Sequence, residues 1–139
     1  MDQTSQNRAR TILVVDDNAS IRLLATILFN NYGYQVSSYD NPKDALGCFD
    51  PKFHDLVMTD NSMPGMTGAE MARKIKSRSP STPIVMYTAN PPSDCPSVDV
   101  MIKKPVHLLM LKEAVERLLC PTSQGQNSGG QQELFEYRP

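Results

Sequence analysis

The run Ile12–Val15, ILVV, packs four apolar residues together with no polar alternation, and the chain repeats this device. Five short runs stand out as strand candidates, ILVV being the plainest: Thr11–Val15, Tyr34–Tyr39, Leu56–Thr59, Ile84–Tyr87 and Val100–Ile102. Each is too short for a helix and rich in β-branched or aromatic residues, which marks strands. Strands without polar alternation are covered on both faces, the condition of a parallel sheet.

Between these runs the apolar spacing changes to that of helices. Ile21, Leu24, Ala25 and Leu28 fall at i, i+3, i+4 and i+7, one helix face, with Gly33 as a stop signal. Asn41-Pro42 is a capping residue followed by proline at the first helical position, ahead of Ala45, Leu46 and Phe49. Thr67-Gly68-Ala69-Glu70 reads as a capping box that turns Met71, Ala72 and Ile75 inward. Leu108, Leu111, Val115 and Leu118 line the last helix. Alternating strands and helices call for an α/β fold with a doubly wound parallel sheet, and right-handed crossovers leave few topologies. One connection resists: ANPPSDCPSVD, before the last strand, carries Pro91, Pro92 and Pro96 and excludes a regular helix of normal length.

The 139 residues suit one domain, with residues 1–10 a flexible lead, 11–120 the folded unit and 121–139 a disordered, glycine- and glutamine-rich tail. Leu134, Phe135 and Tyr137 read as part of a frayed end, with a docking peptide for a partner as the alternative. A net charge of −1 excludes nucleic-acid or membrane binding by bulk electrostatics. No apolar run approaches a bilayer span, and the N-terminus is no secretory signal. Cys48, Cys95 and Cys120 are odd in number and lack metal-ligand spacing, and His54 and His107 complete no cluster. Reduced thiols and a cytoplasmic location are expected.

Ligand sites in open α/β sheets form at the C-terminal ends of the strands. Asp16 and Asp17 follow the first strand, Asp60 the third, Thr88 ends the fourth, and Lys104 follows the fifth. Three carboxylates in one crevice repel one another, and a hard dication such as Mg²⁺ resolves the conflict while leaving room for phosphate oxygens. Lys104 adds a point charge for a phosphoryl oxygen and Thr88 a hydroxyl. A carboxylate is a nucleophile without help from a base, so the set fits phosphoryl transfer onto a carboxylate.

ILVVDDN (Ile12–Asn18), DLVMTDNSMPGMTG (Asp55–Gly68), IVMYTA (Ile84–Ala89) and KKPV (Lys103–Val106) closely resemble the receiver domain of two-component response regulators. The resemblance spans roughly Thr11 to Cys120 and implies a flavodoxin-like five-stranded sheet of order 2-1-3-4-5. It implies that Asp60 is the phosphoacceptor and that Asp16, Asp17, Asp60 and the Ser62 carbonyl hold Mg²⁺, or Mn²⁺ in its place. It implies catalytic roles for Thr88 and Lys104 beside Asp60, a switch formed by Thr88 and the residue at Met101, and a cis Lys104–Pro105 bond. The partners implied are a histidine kinase or histidine phosphotransfer protein as donor and an unidentified downstream protein. Such a chain is no enzyme for other substrates; it catalyses its own phosphorylation and dephosphorylation.

Two departures stand out. The family places tyrosine or phenylalanine at the position of Met101, and only fifteen residues separate Thr88 from Lys104. The family's fourth helix is therefore expected to be shortened or lost. The expected function is a single-domain response regulator whose phosphorylation switches partner binding. The alternatives are a phosphorelay intermediate or phosphate sink, and a phosphate-independent interaction module on the same scaffold. An aspartate-nucleophile phosphatase is disfavoured, because its Asp-x-Asp motif is absent from the first strand. Oligomeric state, kinase and pathway stay open.

Overall fold

The computed structural model describes residues 8–120 and the backbone of Glu133–Phe135. The chain runs β1 (Thr11–Val15), α1 (Ala19–Asn31), β2 (Gln35–Tyr39), α2 (Pro42–Cys48), β3 (Leu56–Thr59), α3 (Gly68–Arg78), β4 (Ile84–Thr88), β5 (Val100–Lys103), α4 (Leu108–Leu119) and β6 (Glu133–Phe135). All strand pairs are parallel, and the order is β2-β1-β3-β4-β5-β6. The expected order 2-1-3-4-5 is therefore present, extended by one strand.

That sixth strand departs from the expected tail. Within residues 121–139, read as a disordered tail with Leu134 and Phe135 at a frayed end or in a docking peptide, Glu133–Phe135 pairs with β5 in the register Val100↔Glu133, Met101↔Leu134, Ile102↔Phe135. The last strand of an open sheet presents unpaired N–H and C=O groups, and a short extended segment satisfies them. The rest of that tail, including Tyr137, lies outside the described residues. At the other end, Arg8 pairs with Asp55 at 3.0 Å and Arg10 donates to the Leu119 carbonyl at 2.8 Å. These two residues of the expected flexible lead thus rest against the domain.

Strand alternation sends side chains to two separate cores. Ile12, Val14, Leu56, Met58, Val85, Tyr87, Val100 and Ile102 pack with α1 and α4. Leu13, Val15, Val57, Ile84, Met86 and Met101 pack with α2 and α3 on the other face. The helices start where local chemistry allows: the Asn18 side chain accepts from the Ser20 and Ile21 N–H groups, Pro42 sits in the first turn of α2, and Thr67 with Glu70 forms the complete capping box. Gly33 ends the α1 region at φ +89°, a conformation that favours glycine.

On α1 the buried stripe is Ala25, Leu28 and Phe29, while Leu24 is 45% exposed along with Leu23 and Ile27. Ile21, Ala25 and Leu28 of the expected face do turn to the core, but Leu24 faces out and Phe29 takes its place: spacing alone allows both, and contact with the sheet selects one. On α4, Leu119 is buried and Leu118 only half-buried. As expected, no helix forms between β4 and β5. Cys95 and Val98 from that proline-rich segment plug the α2/α3 core instead.

Candidate functional site

Every chemically notable residue except Met101 arrives at one rim of the sheet because β1, β3, β4 and β5 all end there. Asp16 follows β1 and is buried; its N–H donates to the Tyr39 carbonyl at 3.2 Å, which extends the strand by one bond. Asp60 follows β3 and is 8% exposed, with its N–H on the Val15 carbonyl at 3.0 Å. Asp17 is exposed beside them. One carboxylate oxygen from each of Asp16, Asp17 and Asp60 lies within 4.8 Å of the others, an arrangement able to hold a metal ion.

Lys104 reaches this cluster from just past β5. Its Nζ is 3.1 Å from Asp16 Oδ2 and 3.6 Å from Asp60 Oδ2. It also lies 5.4 Å from the centroid of the Tyr87 ring. Burial pushes the Asp16 carboxyl above the usual carboxylate range, opposed by the Asn18 N–H and the Lys104 ammonium and reinforced by the charge of Asp60. The Lys104–Pro105 bond is cis.

The loop after Asp60 is fastened from several sides. The Asn61 N–H donates to Asp60 Oδ1 at 2.7 Å, and the Asn61 carbonyl and side-chain oxygens accept from the Gly68 and Ala69 N–H groups. Gly68 is required by close approach: a Cβ there would overlap the Asp60 carbonyl oxygen. Ser62 lies exposed in this loop. Thr88 is buried at the end of β4, and its Oγ1 accepts from the Asn90 N–H at 3.4 Å. Met101 is buried within β5, opposite Met86 and in the α2/α3 core.

Two positioning residues were missed in the sequence. Arg22 donates to the Asp16 carbonyl at 2.8 Å from the first turns of α1, and Asn61 ties the loop after Asp60 to α3. An arginine six residues after an acidic pair carries no signature of its own. A cavity of about 350 Å³ lined by Arg10, Lys76 and Asp99 lies at the opposite rim, before the strands begin, and shares no residue with the carboxylates.

A doubly wound parallel sheet with three carboxylates and a lysine gathered at its C-terminal rim defines a flavodoxin-like α/β protein with an acidic, cation-ready site. The family description "Response regulator receiver domain" matches residues 12–116, and the chain belongs to that family. Among curated relatives it is 34% identical over 116 residues to the response regulator receiver protein CpdR of Brucella abortus, covering 79% of this chain and 96% of CpdR. It is 37% identical over 89 residues to the transcriptional regulatory protein ResD of Bacillus subtilis, covering 64% of this chain but only 35% of that longer protein. The solved structure of the response regulator TrrA of Thermotoga maritima, in complex with Mg²⁺-BeF, superposes with a TM-score of 0.74 at 34% identity, covering 79% of this chain and 99% of TrrA.

Proposed function

We propose that this protein works as a single-domain response regulator: Asp60 accepts a phosphoryl group from the phosphohistidine of a histidine kinase or phosphotransfer protein, and the modified domain changes its binding to a downstream partner. The observation that carries this reading is the clustering of Asp16, Asp17 and Asp60 within 4.8 Å under the Lys104 ammonium. The match to almost the whole of CpdR supports a receiver acting without an attached effector.

The donor set fits Mg²⁺. Three carboxylates meet one ammonium, and Lys104 is paired with only two of them. The carboxylate oxygens of Asp16, Asp17 and Asp60, with the Ser62 carbonyl, would hold the ion. The charge it supplies when bound offsets the repulsion between the carboxylates and an incoming phosphoryl group.

The chain's own residues carry the rest. An Asp60 oxygen attacks phosphorus as the P–N bond of the donor breaks, and the imidazole nitrogen keeps the bonding electron pair. Lys104 moves its charge from Asp60 onto a phosphoryl oxygen. Among the described residues the Thr88 hydroxyl acts only as an acceptor, from Asn90, so its proton is available to a second phosphoryl oxygen. Ala89 is exposed and small, which leaves the acceptor open to the donor. In-line positioning and charge neutralisation supply the catalysis, with no general base required.

Intact-protein mass after incubation with Mg²⁺ and acetyl phosphate tests the reading. Wild type gains one phosphoryl group and Asp60→Asn gains none. A wild type that gains none from acetyl phosphate or from a phosphorylated histidine kinase overturns it.

A further inference from the structure

Lys104 is a long, flexible side chain, and two carboxylates alone leave it several ways to point. A third group meets it: the face of Tyr87, 5.4 Å from Nζ to the ring centroid, inside the range at which an ammonium is attracted by an aromatic quadrupole. The ring is itself immobilised. Tyr87 is 6% exposed, lies in β4 opposite Ile102 of β5, and is packed in the α1/α4 core. Lys104 is also mostly buried, with 18% of its side chain exposed, so water competes little for the contact.

We propose that Tyr87 is a positioning residue for Lys104, its ring holding the ammonium at the distance from Asp60 that phosphoryl transfer needs. This deepens the phosphoryl-transfer reading and rests on it. Strand alternation puts Tyr87 and Met101 in opposite cores. The ring therefore does not replace an aromatic at position 101 as a mover beside Thr88. It acts on the lysine instead, from the strand next to the one that carries it.

The decisive experiment varies the ring without varying its shape. Phenylalanine, 4-fluoro-, 3,5-difluoro- and 3,4,5-trifluorophenylalanine are installed at position 87 of the full chain, together with Tyr87→Leu. Phosphoryl incorporation from acetyl phosphate with Mg²⁺ is followed by mass. Tyr87→Phe keeps the wild-type rate, and Tyr87→Leu slows it by about 3- to 30-fold. The fluorinated rings fall between in order of fluorine number while their urea midpoints stay at that of Tyr87→Phe, which separates the trend from a loss of packing. Equal rates across the fluorinated series overturn the proposal.

A second readout needs no phosphorylation. The Lys104 ε-methylene protons carry an upfield ring-current shift in wild type and Tyr87→Phe, lost in Tyr87→Leu. Its absence in wild type also overturns the proposal. A wild type with that shift but no phosphoryl uptake counts against the acceptor reading and leaves the contact standing.

Discussion

Lys104 Nζ lies 3.1 Å from Asp16 Oδ2, joining residues 88 positions apart across two intervening strands of the sheet. The contact ties the end of β5 to the end of β1 at a place where burial makes a carboxylate expensive to ionise. Lys104→Met removes the cation and leaves Asp16 and Asp60 facing each other. Phosphoryl uptake from acetyl phosphate is expected to slow by about 10²-fold or more, the usual loss for a charge aimed at a transition state. Without Mg²⁺ the variant also unfolds at lower urea, by about 3 kcal/mol, because a buried carboxylate loses its partner. A variant as fast and as stable as wild type would show that the lysine is a bystander.

Gly68 begins α3 against the backbone of Asp60. An added methyl group overlaps the Asp60 carbonyl oxygen and crowds Asn61 Cα, both backbone atoms that cannot swing aside. Gly68→Ala is expected to cost about 1–3 kcal/mol and to slow phosphoryl uptake by displacing Asp60. Denaturant titration and the mass assay check both, and an unaltered Gly68→Ala protein contradicts the close approach.

His54 gives the stability a pH dependence away from the site. It is buried against Phe49 and Phe53, accepts the Asp50 N–H at Nδ1 (3.0 Å), and is pushed below the usual histidine range by burial, against the pull of Asp50. The unfolded chain then takes up a proton near pH 6.5 that the folded one refuses until lower pH. Stability is full above that value and falls as pH drops toward the depressed folded value, by at most about 1.4 kcal/mol per pH unit. His54→Gln keeps an acceptor but cannot titrate. The difference between its melting temperature and that of wild type should change between pH 7 and pH 5 in the variant's favour; a constant difference refutes the assignment.

The capping box of α3 has a separable role. Thr67 accepts the Glu70 N–H at 3.1 Å, while the Glu70 carboxylate accepts the Thr67 N–H at 3.0 Å. Thr67→Ala is expected to lose about 1 kcal/mol in urea unfolding and Thr67→Ser much less. Equal losses for the two would point to the lost methyl group rather than the hydroxyl.

The strands and the acidic set were legible because both follow from local chemistry. Buried parallel strands read as unbroken apolar runs, and topology sends their ends to one rim. Asp16, Asp17, Asp60 and Lys104 converge for that reason alone. The missing helix before β5 was equally plain from Pro91, Pro92 and Pro96. What depends on a distant surface was not. Leu24 satisfies the helical spacing as well as Phe29 does, and only the sheet decides between them. Asn61, between Asp60 and an exposed serine, gives no hint that it ties the loop to α3. The pairing of Glu133–Phe135 with β5 is set by the partner's register, which three residues cannot specify by themselves.

That last pairing puts part of the chain far from Asp60 in sequence at a useful place. Because β6 runs parallel to β5, its Phe135 end arrives at the same rim as Asp60. Three strand steps separate β3 from β6, and neighbouring strands lie about 4.8 Å apart, so the two ends stand about 14 Å from each other. A paramagnetic or fluorescent label set at the close of β6 would sit within reading range of the carboxylates without touching them. Such a label would report any phosphoryl uptake proposed for Asp60 in real time.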